Sequence, residues 1–139
     1  MEHVFFCDKK EKVLEKFVNL ERTMILRAAD SRKIPHSRVF KGEKIYFTEK
    51  DSREVSYVAT IKNVYNYTKL PLTQVKRELI KYYKELNLTP KEKEKALKKC
   101  LCLIEVENMK KIETFKIKKQ APLIDWIILE NIDILRENV

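Results

Sequence analysis

The sequence contains one glycine and four prolines in 139 residues, and it lacks any long apolar run. So little glycine and proline leaves no flexible linker, and there is no repeat or low-complexity tract. No apolar stretch approaches the ~18–20 residues of a membrane span, and the acidic, lysine-rich start lacks the pattern of a signal peptide. These absences predict a single domain over 1–139 that is soluble and cytoplasmic, with 44% apolar residues to form one core.

Cysteine and histidine are also scarce, which bears on disulfide and metal chemistry. Cys100 and Cys102 lie two residues apart in an apolar run, so strand alternation places both on one face, where a disulfide between them is unfavourable. His3 and His36 have no metal-binding spacing around them, and a zinc site needs more ligands. We therefore expect reduced, buried thiols, no bound metal and no cofactor.

Charge is abundant and unevenly distributed. The chain has 37% charged residues and a net charge of +9, and its excess of lysine and glutamate resembles a thermophile composition. The arginines are different, because five of the seven fall between positions 22 and 53. Residues 22–41 alone carry six cations and one anion. Such a local basic segment predicts contact with an anion or a nucleic acid.

Hydrophobic periodicity predicts an α+β fold. Period-two runs predict strands at 3–8, 23–28, 44–50, 54–67, 100–108, 114–118 and 126–131. Helical spacing predicts helices at 9–20, 72–86 and 90–99, with Asp8, Thr73 and Thr89 as their N-caps. The strands 44–50, 54–66 and 100–108 should form one strongly curved sheet, with the two later helices inserted before the last of them. The lone Gly42 should occupy a turn that needs a positive φ.

Several pieces then occur in a recognisable order. Val39 to Phe47 reads as a basic turn, a glycine followed by an acid, and an aromatic strand. After it come Val58-Ala59 with Val64, a helix pair, the strand Leu103–Glu107 and a late Asp125-Trp126. This order resembles the PUA-like superfamily, specifically its ASCH/EVE-type branch and the small archaeal domains of unknown function grouped with it.

The resemblance implies a fold and a kind of ligand. The fold would be a pseudo-barrel of five to six mostly antiparallel strands with helices packed at its openings. The ligand would be RNA or a modified nucleotide, held in a cleft beside the barrel. The predicted anion-binding residues are Arg22, Arg27, Ser31, Arg32, Lys33, His36 and Arg38. The predicted aromatic wall is Tyr46, Tyr57 and Trp126, since rings stack on unpaired bases.

Alternatives remain open at this point. Some ASCH relatives resemble amidohydrolases that have a lysine and a threonine ahead of an arginine. In this sequence Arg22 holds the lysine position, Ile25 the threonine position and Arg27 the arginine position. Neither an arginine nor an isoleucine can act as a base, which argues against that chemistry. An enzyme using Glu105 or Glu107 is a second possibility, and a protein–protein adaptor with an exposed apolar patch is a third. The loop arginines could also simply pair with acids. The lysine clusters 93–99 and 110–119 read as solvated faces.

Overall fold

The structure, a computed structural model, describes residues 1–137. Six strands lie within this range, and β1 to β6 cover Glu2–Cys7, Met24–Ala29, Lys44–Glu49, Glu54–Tyr67, Cys100–Lys116 and Trp126–Leu129. The α-helices of the same range, α1 to α4, cover Val13–Val18, Leu72–Lys81, Tyr83–Leu86 and Pro90–Lys95, and a 3-10 helix covers Ile132–Ile134. None of these helices is long and apolar enough to cross a membrane.

All six strands belong to one mixed sheet in the order β2-β5-β4-β3-β1-β6. Only the β1–β3 pair is parallel; the other neighbouring pairs are antiparallel. The long β4–β5 pairing has three register shifts, and such bulges bend a strand and increase its twist. The sheet therefore curls into a half-barrel, which confirms the predicted α+β pseudo-barrel.

Several local predictions need correction. The helix predicted at 72–86 is divided at Tyr82 into α2 and α3, and the helix predicted at 90–99 ends at Lys95. The strands predicted at 100–108 and 114–118 are one continuous strand, because the pattern breaks at Asn108 (φ 56) within a bulged stretch and the ladder then continues. Helix α1 begins at Val13 rather than residue 9, since the Asp8 carboxylate accepts from the Glu11 N–H in a turn that precedes the helix. Pro71, not Thr73, is the N-cap of α2.

Two turn predictions are confirmed. Thr89 and Glu92 form a complete capping box at the start of α4, with Pro90 at the first helical position. Gly42 has φ 92 and donates its N–H to the carbonyl of Ile61 at 2.8 Å. That hydrogen bond connects the turn before β3 to the middle of β4.

Strand alternation buries both faces of the sheet. Phe5, Cys7, Ile45 and Phe47 face a main cluster covered by α1, whereas Val4, Phe6 and Tyr46 face a second cluster covered by the C-terminal segment. Cys7, Cys100 and Cys102 are buried free thiols, as predicted. Burial raises the pKa of Cys7 well above its ordinary value and that of Cys102 to about 12, so both thiols stay protonated at neutral pH.

Helices α2 to α4 lie between β4 and β5 in the chain and cover one end of the sheet. Leu86 is fully buried against Met24 and Leu103 in a third cluster. Tyr65 and Tyr82 stack beside it, with ring centroids 5.6 Å apart. This cluster attaches the helical segment to the edge strand β2 and its neighbour β5.

Phe17 allows a direct test of how α1 covers the main cluster. Its side chain is 1% exposed, and its ring lies 5.2 Å from that of Phe47. Phe17→Ala should lower the free energy of unfolding by about 3–5 kcal/mol, because the cavity left behind cannot collapse fully. Phe40→Ala, at a ring that is 61% exposed, should change it by less than about 0.5 kcal/mol. Urea unfolding of both variants measures this, and equal losses would contradict the described packing.

Candidate functional site

The two edges of the curled sheet meet through an ion pair. Strands β2 and β6 are the edge strands, and Arg27 of β2 donates a 2.8 Å hydrogen bond to Asp125, the residue just before β6. Lys33 Nζ also lies 3.3 Å from the other Asp125 oxygen. Side chains rather than a backbone ladder therefore join the edges, and the seam between them is open to form a cleft.

Trp126 is held in place behind this ion pair. The Arg27 guanidinium carbon lies 5.6 Å from the centre of the indole, a cation–π distance. The indole N–H donates to His3 Nδ1 at 3.0 Å, so Nδ1 is unprotonated and Nε2–H donates to Glu43 at 2.9 Å. Burial lowers the pKa of His3 despite the opposing effect of Glu43, which keeps the imidazole neutral at pH 7.

Arg22 fixes the opposite wall of the cleft. Its guanidinium is 4% exposed and forms two hydrogen bonds with the Glu92 carboxylate, at 2.6 and 3.0 Å, and a third with the Asn87 carbonyl at 2.8 Å. Glu92 also accepts the Thr89 N–H of the capping box. One carboxylate therefore both begins α4 and binds that helix to the start of β2.

Two adjoining cavities lie along this seam. The inner cavity has a volume of about 150 Å³ and is lined by Arg22, Arg27, Glu92, Asp125 and, among others, Phe5, Phe6, Phe17, Asp8 and Lys50. The outer cavity has a volume of about 170 Å³ and is lined by Leu26, Arg27, Ala28, Lys33, Leu88, Glu92, Lys95 and Ala96. Leu26, Arg27 and Glu92 line both, so the two cavities adjoin along the cleft.

Two donors in the cleft walls are unsatisfied. Within the described residues, the Nε atoms of Arg22 and Arg27 are buried and have no hydrogen-bond partner. Buried donors without partners are rare in folded proteins, and where they occur a water or a ligand acceptor commonly completes them. Both arginines line the inner cavity.

The carboxylates of the cleft are held ionised. Burial opposes the charge of Glu92, but hydrogen bonds from Arg22 and Thr89 outweigh it and lower its pKa. Burial likewise opposes ionisation of Asp125, and Arg27 and Lys33 together lower its pKa. At neutral pH both groups act as hydrogen-bond acceptors, and neither has the raised pKa of a general acid.

The structure brings only part of the predicted basic loop to the cleft. Arg22, Arg27 and Lys33 reach it, whereas Ser31, Arg32 and Arg38 are exposed on the loop surface. His36 is buried and positions the loop, because its Nε2 contacts the Tyr67 carbonyl at 3.0 Å and its Nδ1 contacts the Ser37 hydroxyl at 2.8 Å.

The predicted aromatic residues are dispersed. Tyr46 lies in the second core cluster with its ring 6.1 Å from that of Phe115, and Tyr57 packs against the main cluster. Trp126 supports Arg27 from behind the cleft. Phe5, Phe6 and Phe17 are the aromatic residues that line the inner cavity.

Other predicted candidates lie elsewhere. Glu105 accepts a hydrogen bond from the Asn63 amide at 2.9 Å, and Glu107 is exposed on β5. Among residues 1–137, no group of three or more histidine, cysteine or acidic side chains is arranged to hold a metal ion.

Sequence reasoning missed the acids that bind the arginines. Glu43, Glu49 and Asp30 are nearer in sequence, yet the partners are Glu92 and Asp125, 70 and 98 positions away. Two features of the sequence could have pointed to these acids: the capping box, which contains Glu92, and the Asp125-Trp126 pair. Lys95, predicted to lie on a solvated face, lines the outer cavity.

Comparison with solved structures places this half-barrel in a known class. The fold is similar to that of ASCH from Zymomonas mobilis, with a TM-score of 0.70 and 12% sequence identity over 96% of this chain and 90% of that one. Two variants of that protein match similarly. A tyrosine-to-phenylalanine variant gives a TM-score of 0.70 and 12% identity, over 98% of this chain and 99% of that one. A serine-to-alanine variant gives a TM-score of 0.68 and 14% identity, over 93% of this chain and 88% of that one. No family profile matches the sequence, and no curated protein does.

These likenesses define the fold. The chain has a PUA-like pseudo-barrel. Its architecture is similar to that of the ASCH structures, which confirms the fold that the resemblance implied.

The Arg27–Asp125 pair generates a stability prediction. Asp125→Asn should lower the free energy of unfolding by about 1.5–3 kcal/mol at pH 7, the usual contribution of a hydrogen bond to a charged group. Because the folded pKa of Asp125 is lowered from 3.8, the pair stabilises the fold above that pH and loses its effect as pH falls through the lowered pKa. The deficit of the variant should therefore shrink in acid.

Asp30→Asn is the matched control. The Asp30 side chain is 77% exposed, and its Oδ2 forms a longer ion pair with Lys98 Nζ, at 3.7 Å. This change should cost less than about 1 kcal/mol. Chemical denaturation at neutral and acidic pH measures both variants. A pH-independent deficit in Asp125→Asn would show that the ion pair is not its cause.

Proposed function

We propose that this chain is an RNA- or nucleotide-binding domain whose ligand occupies the cleft at the β2–β6 seam. The observation that carries the proposal is the pair of buried arginines, Arg22 and Arg27, which line one cavity and whose buried Nε–H donors have no partner among the described residues. Arginine is suited to phosphate and base edges because its donors are fixed in a planar fork. A ligand acceptor in the inner cavity would satisfy groups that the chain itself leaves unpaired.

The charges along the cleft suggest how a nucleotide would be oriented. The cations and acids lining the inner cavity balance, with Arg22, Arg27 and Lys50 against Asp8, Glu92 and Asp125. Such a mixture of donors and acceptors suits a nucleobase, which presents both on its edges. The outer cavity has Arg27, Lys33 and Lys95 against Glu92 alone, so its excess positive charge suits a phosphate.

Cavity size is consistent with this arrangement. Each cavity is smaller than the roughly 300–1,000 Å³ of typical ligand pockets, so a ligand of nucleotide size would span both. The base would occupy the inner cavity, and the lysines at the outer end would contact the backbone. Since Arg22 and Arg27 are already held by carboxylates, little side-chain ordering is needed on binding.

Binding is favoured over catalysis by the groups in the cleft. Glu92 and Asp125 have lowered pKa values and are fully committed to arginines, so they are weak bases. The residue facing the cavity two positions before Arg27 is Ile25, which has no reactive group.

Two lysines of α4 provide the functional test. Lys95 lines the outer cavity of the cleft, and Lys93 lies on the other side of the same helix. Lys95→Ala should weaken binding of a short single-stranded RNA about three- to tenfold, and Lys93→Ala should leave it unchanged. Losing one phosphate contact should also reduce the slope of log affinity against log salt by about 0.7. Fluorescence anisotropy at several salt concentrations measures both effects.

Arg27→Lys completes the comparison, because it keeps the charge but removes the planar fork. It should weaken binding more than Lys95→Ala with little change in salt slope. Equal losses from Lys93 and Lys95 would mean that the overall charge of +9 alone attracts RNA. Absence of binding by the unaltered chain at low salt would overturn the proposal.

A further inference from the structure

An open apolar groove lies on the helical segment, on the other side of α4 from the cleft. Its volume is about 500 Å³, and its apolar lining consists of Leu79, Ile80, Tyr83, Leu86, Leu88 and Leu97. Lys93 and Leu97 face this groove, whereas Lys95 and Ala96 face the outer cavity of the cleft. The groove therefore adjoins the outer cavity at Leu88, which lines both, but the rest of its lining is a different set of side chains.

The side chains at the rim of the groove are too exposed to belong to the core. Ile80 is 70% exposed, Tyr83 is 63% exposed and Leu97 is 44% exposed, while Leu86 at the bottom is fully buried. Isolated apolar residues are normal on a protein surface, but several that converge on one concavity mark an interaction site. Such anchors spaced along helices fit a helix-in-groove contact, in which an amphipathic helix inserts its apolar face.

Charge around the groove indicates the chemistry of the occupant. The lining includes Lys76, Lys93 and Asn87, and no carboxylate of residues 1–137 belongs to it. The surrounding segment 72–99 has nine cations against four acids, and two of those acids are engaged, Glu78 with the Tyr67 hydroxyl and Glu92 with Arg22. An apolar floor with a basic rim is complementary to an apolar stripe flanked by acids.

We propose that this groove binds an acidic amphipathic helix of a partner protein. A second copy of the chain fits less well, because a two-fold contact would bring two patches of the same positive charge together. An extended peptide added to a sheet edge would use β2 or β6, and the groove is lined by helix side chains instead.

The test uses a designed peptide of about 15 residues, long enough to form a helix, with leucines at helical spacing and glutamates elsewhere. Its twin has every glutamate replaced by lysine. The glutamate peptide should bind the chain and the lysine peptide should not. Ile80→Glu should weaken that binding about tenfold or more, as expected for an anchor in the middle of a contact. Leu123→Glu, at a side chain that is 95% exposed and outside the groove, should leave it unchanged.

Further measurements separate a helix bound in the groove from non-specific adhesion and from self-association. Lys76→Glu combined with Lys93→Glu should reverse the preference between the two peptides. RNA binding by Ile80→Glu should match the unaltered chain, which shows that the variant is folded and that the two sites are distinct. Equal binding of both peptides, binding that survives Ile80→Glu, or binding of neither peptide would overturn the proposal. Self-association of the chain that Ile80→Glu abolishes would also overturn it, because the occupant would then be a second copy.

Discussion

The ion pair between Arg27 and Asp125 is the constraint on which the site depends. A sheet that closes into a complete barrel satisfies its edge strands by backbone pairing and has no seam. Here β2 and β6 are joined by side chains, at 2.8 Å between Arg27 and Asp125. Side-chain closure leaves space between the edges, and the cleft occupies that space. The same contact that completes the half-barrel therefore positions one of the two arginines that border the cavity.

The second arginine makes the helical segment part of the site. Arg22 binds Glu92, which is also the third helical residue of the α4 capping box, so the helix start and the cleft wall depend on one carboxylate. Lys95 is brought to the outer cavity by this attachment, and Lys93 is directed to the apolar groove. The short helix α4 thereby separates two surfaces of different chemistry. A substitution in α4 can therefore alter the cleft or the apolar groove without altering the other.

Much of the fold could be predicted because it is encoded locally. Alternation in β3 and β4, the capping box at Thr89 and the turn at Gly42 depend on neighbouring residues, and each was predicted correctly. The length of β5 was missed because a bulge at Asn108 interrupts the pattern without ending the ladder.

The site was only partly predictable, because its contacts connect residues distant in sequence. The basic segment indicated Arg22, Arg27 and Lys33, but nothing local distinguished them from Arg32 and Arg38, which lie on the exposed loop. The distinction comes from acids 70 and 98 positions away, together with the curl that brings the sheet edges together. His36 was predicted to bind a ligand by its residue type, and the structure shows it buried under the loop, where it orders the backbone.

If the Arg22 and Arg27 side chains bind the ligand at the seam, their Nε–H groups report the binding directly. Buried guanidinium Nε–H protons exchange slowly with water, so both should give resolved signals in a nitrogen-15 correlation spectrum of the free chain. Titration with a short single-stranded RNA should shift both signals in step with binding, since these donors gain an acceptor. Saturation with RNA that leaves both Nε–H signals in place, while signals of surface lysine segments move, would show that these two arginines do not bind the ligand.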